Sequence, residues 1–162
     1  MIVVADTSPI NYLVLLGHIE ILPNIYGEVL IPQAVFDELQ DSDAPAEVRA
    51  WLTAPPTWLR ISSTAYPPDP LLDLLDRGEH DAILLAESVE ADRLIIDDLE
   101  GRREAANRNL PVIGTLGILA EAARRNLLDL PQALAALQAT NFHAAPALIK
   151  LLLANEANRH KR

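Results

Sequence analysis

Short apolar runs alternate with amphipathic stretches along this chain of 162 residues. Strands are predicted at 2–5, 28–31, 58–61, 93–96 and 111–113, where Val, Ile and Leu cluster between turn residues. Between them, apolar positions recur with helical spacing. The first helix spans about 9–16, with Ser8 as N-cap, Pro9 at the first helical position and Gly17 as the stop. Further helices are predicted from Pro32, across 45–53, and at about 70–76, 79–90, 101–109 and 115–125. Strands in alternation with helices indicate parallel βαβ units with helices on both faces of the sheet. The segment 130–156, rich in Leu and Ala, reads as a C-terminal helical pair started by Pro131 and Pro146.

Where the apolar segments end or turn polar, carboxylates recur. Asp6 closes the first strand, and Asp97 and Asp98 close Leu94-Ile95-Ile96. In a parallel sheet, ligands bind at the carboxyl ends of the strands. Glu38 falls on the same helical face as Ala34, Val35 and Leu39, whereas Asp37 falls outside it. A Glu on an apolar face is costly to bury without a partner. Glu79 and Asp81 flank the stripe of Ala82, Leu85, Ala86 and Val89 on opposite sides, so periodicity does not choose between them. Neither does it choose between Asp97 and Asp98, since strand neighbours face opposite ways. One by one, these acids also suit helix caps or first-turn positions. Gathered together, they would repel unless a cation joined them. Oxygen ligands of this kind suit Mg²⁺ or Mn²⁺, and such a centre activates water and neutralises charge on a phosphodiester.

Composition narrows the alternatives. The 50% hydrophobic content supports one domain with a real core, and the 4% aromatic content makes that core mostly aliphatic. Without cysteine there are no disulfides and no thiolate metal sites. No apolar run approaches the roughly 20 residues that span a bilayer, and the start lacks the basic segment of a signal peptide. A soluble cytoplasmic protein, with no membrane partner, is the expectation. The net charge of −10 opposes general binding to nucleic acid, but it is unevenly spread. Residues 1–100 carry 19 acidic and four basic side chains, and residues 101–162 carry four acidic and nine basic. Arg102, Arg103 and Arg108 place a basic flank just after the last acidic pair, and Arg159, Lys161 and Arg162 form a basic tail.

Other chemistries lack their residues. The four histidines (18, 80, 143, 160) show no metal-binding spacing, and the six glycines form no phosphate loop. A haloacid-dehalogenase-like phosphatase needs a second Asp where Ser8 stands. A receiver domain needs a lysine near its acids, but the lysines here are Lys150 and Lys161.

Asp6-Thr7-Ser8, Val35-x-x-Glu38-Leu39, Gly78-Glu79-x-Asp81-Ala82-Ile83 and Leu94-Ile95-Ile96-Asp97-Asp98-x-x-Gly101-Arg102 resemble the acidic motifs of PIN-domain proteins. The continuation Val112-Ile113-Gly114-Thr115-Leu116-Gly117-Ile118-Leu119 is similar to a VapC-related subgroup of the DUF3368 type. The likeness runs from residue 2 to about 155. It implies a three-layer α/β/α sandwich with a central parallel sheet over 1–125, and a helical extension over 126–162 packed on the same domain. It also implies a Mg²⁺- or Mn²⁺-dependent endoribonuclease whose catalytic and metal-binding acids map onto Asp6, Glu38, Asp81 and Asp98. Thr7 or Ser8 would hydrogen-bond the first acid or the metal's water shell, and Glu79, Asp97 and Thr115 are the other supporting positions. Arg102 and Arg103 are the RNA-contact candidates. Many relatives of this kind are toxins held inactive by an antitoxin, and homodimers are common among them. The alternative from another class is a catalytically silent PIN-fold binding or regulatory protein.

Overall fold

In a computed structural model that describes residues 1–161, the chain divides into two compact units, Met1–Thr115 and the residues from Leu116 onward. Arg162, at the end of the predicted basic tail, lies outside the described residues.

The first unit is an α/β/α arrangement around a parallel sheet. Its strands are β1 (Val3–Ala5), β2 (Val29–Pro32), β3 (Leu59–Ser62), β4 (Arg93–Ile95) and β5 (Val112–Ile113), in the order β3-β2-β1-β4-β5. Val4 pairs with both Leu30 and Leu94, which makes β1 the central strand. Val4, Leu94 and Ile96 enter one apolar cluster with Ala82, Ile83, Leu85 and Ala86, while Val3, Ala5 and Ile95 are buried as well. Strands apolar on both faces are what a sheet covered on both sides requires.

Helices α1 (Thr7–Leu15) and α2 (Ile21–Tyr26) lead to β2, and α3 (Gln33–Gln40) and α4 (Ala46–Trp51) lead to β3. The chain then crosses back, through α5 (Arg77–Ser88), to β4 on the other side of β1, and α6 (Leu99–Asn107) leads on to β5. The direction of travel therefore reverses between β1 and β4. In open parallel sheets a crevice opens at such a reversal, at the carboxyl ends of the strands. The Asp6 N–H donates to the Ile95 carbonyl at 2.9 Å, so Asp6 and the residues after β4 emerge there side by side.

Two predicted features are corrected and one element is added. Ser8 is not the N-cap of α1: the helix starts at Thr7, with Asp6 in the cap position and the Ser8 hydroxyl turned to another element. The helix expected at 70–76 shrinks to a 3₁₀ turn, Pro70–Leu72. Asp76 is extended and its carboxylate accepts from the Glu79 N–H at 2.8 Å, which ends one element and opens α5. The short α2, which carries Pro23 in its first turn, was not predicted. Gly17 does act as the stop after α1, with φ +75° and its N–H on the Val14 carbonyl.

The second unit carries nearly all of α7 (Thr115–Arg124), with α8 (Leu130–Gln138) and α9 (Pro146–His160). Asp129 caps α8 by accepting from Gln132 N–H at 3.0 Å. Glu156 of α9 is buried against Arg159, whose guanidinium also donates to the Ala123 carbonyl.

Candidate metal centre

Asp6, Glu38 and Asp76 each bring a carboxylate oxygen within 4.8 Å of the other two. Asp6 arrives from the end of β1, Glu38 from the last turns of α3, and Asp76 from the N-cap of α5. Val35 and Leu39 are fully buried, and Glu38 shares their side of the helix, which directs its stem inward.

Asp6 is 3% exposed, and its Oδ1 has no hydrogen-bond partner. Burial pushes its carboxyl up to about 8; the Thr7 backbone N–H works against this, and the charges of Asp76, Glu38 and Asp97 add to it. Glu38 is also raised, first by burial and then by Asp76 and Asp81, with the Thr7 hydroxyl and Gly78 N–H opposing. Thr7 Oγ1 donates to Glu38 Oε2, and the Gly78 N–H donates to Oε1 at 3.0 Å. This approach depends on Gly78 having no side chain, because a Cβ there would lie 2.8 Å from both Cδ and Oε1 of Glu38.

Glu79 stands next to this cluster, half-buried, with its carboxyl pushed up to about 8 by burial and by the charges of Asp76, Asp6 and Asp98. Asp97 is oriented by three donors. Ser8 Oγ and Thr115 Oγ1 reach its Oδ2 at 3.0 and 2.7 Å, and Thr115 N–H reaches Oδ1 at 2.7 Å. Asp98 turns the other way and caps α6, accepting from Gly101 N–H at 2.9 Å. Asp81 is 4% exposed, with Arg77 Nε at 3.2 Å from Oδ2 and His80 Nδ1 at 2.7 Å from Oδ1. Asp81 and Glu38 both line a cleft of about 520 Å³ that also takes in Gln33, Asp41, Thr64 and Arg77.

Of the four acids singled out from the sequence, Asp6 and Glu38 thus lie in the tightest group. Asp81 sits on the adjoining wall, and Asp98 at the cap of α6 beside Glu79. Asp76 was missed. Its signal was legible, since Asp76-x-x-Glu79 has the spacing of a capped helix start. Arg102 lies near Asp97: a Cβ on Gly114 would lie 2.5 Å from its Nη1 and 2.8 Å from Asp97 Oδ1. Arg103 is exposed and paired with Glu100, and Arg108 is nearly buried against Asp69 and Glu87.

The donor set fits a hard divalent cation. A buried carboxylate with an unpartnered oxygen, aimed at two further carboxylates, is unfavourable by itself and suited to an ion that prefers oxygen ligands.

The parallel α/β fold, with acids gathered at its topological reversal, is PIN-like. The chain belongs to the DUF3368 family of PIN domains, which matches residues 2–158. Among solved structures, a PilT N-terminus domain protein, SSO1118, from the hyperthermophilic archaeon Sulfolobus solfataricus P2 is similar in fold. The two share 17% identity with a TM-score of 0.51, over 90% of this chain and 100% of the other. No curated protein matches the chain significantly.

Proposed function

We propose that the protein is a Mg²⁺- or Mn²⁺-dependent endoribonuclease acting as the toxin of a VapBC-like pair. The observation that carries the nuclease reading is the buried, unpartnered Asp6 oxygen facing Glu38 and Asp76. PIN domains are in general nucleases, which supports the same reading. Asp6, Glu38 and Asp76 would hold the cation, with Asp81, buried on the adjoining wall, as a further ligand candidate and Asp98 as a further acid at the cap of α6. When bound, it supplies positive charge that makes water more acidic and offsets charge on a phosphodiester.

The chain's own groups prepare the site. Thr7 fixes the Glu38 carboxylate, and Ser8 with Thr115 fixes Asp97. Arg102, beside Asp97, is the cation placed to take a phosphate of the RNA, since guanidinium suits phosphate oxygens. Without a cation the acids repel RNA; the substrate and the cation therefore bind in favour of each other. The toxin role rests on the resemblance, and implies an antitoxin segment that covers the acidic groove, with a second copy as a further partner.

The test is cleavage of a structured RNA by purified protein in Mg²⁺ and in Mn²⁺, beside Asp6→Asn. Loss of about a hundredfold or more in the variant is expected. No cleavage by the parent, or equal cleavage by the variant, would leave the silent binding protein as the better reading.

A further inference from the structure

We propose that His80 is a positioning residue: a neutral imidazole with its proton on Nδ1, which holds the Asp81 carboxylate against the cleft beside Glu38. The inference rests on the nuclease reading for its consequence, though not for its geometry.

The tautomer follows from the partners. The backbone N–H of Asp69 lies 3.1 Å from His80 Nε2, and a backbone N–H only donates. Nε2 is therefore an acceptor and carries no proton. Nδ1 must carry it, and it lies 2.7 Å from Asp81 Oδ1. The contact is a hydrogen bond from a neutral ring rather than an ion pair. His80 is buried, so water offers little competition for either bond.

The donor on the far side is itself held. Asp69 precedes Pro70, which disfavours helical backbone at Asp69; its φ and ψ are −111° and 116°. Its carboxylate accepts from Arg108 Nη2 at 2.9 Å and from Leu71 N–H at 3.0 Å. Arg108 in turn donates to Glu87 of α5 at 3.1 Å. The Pro-rich loop is thus pinned to α5 and α6, and it presents one N–H to Nε2 at the edge of the imidazole ring. Arg77 completes the clamp from the exposed side, at Asp81 Oδ2.

Such outer partners fix the rotamer of an acid in a metal centre, and removing one typically weakens metal binding by about 10–100-fold. Arg77 is exposed and its long side chain is free to find other rotamers, so His80 contributes the more rigid of the two restraints.

The direct test is a two-bond ¹H–¹⁵N spectrum of the imidazoles near neutral pH, with His80 assigned by the signals lost in His80→Asn. A protonated Nδ1 and a bare Nε2 are expected; the reverse tautomer, or protons on both, would overturn the proposal. Mn²⁺ affinity is then measured by titration calorimetry. His80→Leu should weaken it about tenfold, whereas His80→Asn, whose amide N–H replaces Nδ1–H, should restore it to within about threefold of the parent. Equal affinity in all three would also overturn the proposal. If the parent binds no Mn²⁺, the nuclease reading fails, and the tautomer alone decides whether His80 holds Asp81.

Discussion

Taking the Asp6 carboxylate out of water penalises its charged form, and three neighbouring acids deepen the penalty. In the cation-free protein this gives a definite pH dependence. Asp6 titrates near 3.8 in the unfolded chain and at about 8 in the fold. Below 3.8 it is protonated in both states. Between the two values the folded state keeps a proton that the unfolded state has released. Stability present at low pH is therefore lost as pH rises through about 8. Asp6→Asn removes the charge and nearly keeps the volume. In urea unfolding with a chelator present, the variant should be more stable than the parent at pH 8 by about 1–3 kcal/mol, and the gap should close toward pH 4. A gap independent of pH, or a less stable variant at pH 8, would mean that Asp6 is compensated by something other than protonation.

Between elements, the crossing of α3 and the start of α5 sets the site, because Glu38 reaches the Gly78 N–H only where no Cβ intervenes. Gly78→Ala should cost about 1–3 kcal/mol through overpacking. It should also weaken Mn²⁺ binding, because the Glu38 carboxylate must shift. Thermal unfolding and calorimetry check the two effects; a variant that matches the parent in both would show the approach to be unimportant. The same pair of elements shows what the sequence reveals. Glu38 was legible because periodicity places it among Val35 and Leu39. Asp76 was lost because an apolar stretch, Leu71-Leu72 and Leu74-Leu75, looked like a helix over 70–76 with Asp76 as its last residue. A single carboxylate accepting from Glu79 N–H overrides that propensity. Ser8 misled for the opposite reason. A good capping residue was recruited by Asp97, which lies 89 positions away in sequence. Adjacent carboxylates such as Asp97 and Asp98 stay equivalent until Thr115, beyond the neighbouring strand, bonds one of them. The His80–Asp81 contact has no sequence signal at all, since it depends on how the Pro-rich loop folds back.

On the scale of the whole molecule, the strand order explains why these acids meet. β1 lies between β2 and β4, so the ends of β1 and β4 open at one crevice, with the start of α5 beside them. The short apolar strands had forecast the parallel sheet, but hydrophobicity is equal on both sides of β1 and carries no information about strand order. The fold therefore gathers these acids at one crevice, in a chain already at −10. That repulsion exists only in the folded state, so an ion that binds the fold and not the unfolded chain must stabilise it. At about 100 times its dissociation constant a ligand contributes about 2.7 kcal/mol. For a chain of this size that is a rise of roughly 5–10 °C in the unfolding midpoint. Mn²⁺ should produce this shift in the parent, and little or none in Asp6→Asn, which lacks the proposed central ligand. Calorimetric scans of both proteins with and without the ion make the comparison. If the parent does not respond, the acids form no preformed cation site. If both proteins respond alike, the ion binds somewhere else on the acidic surface.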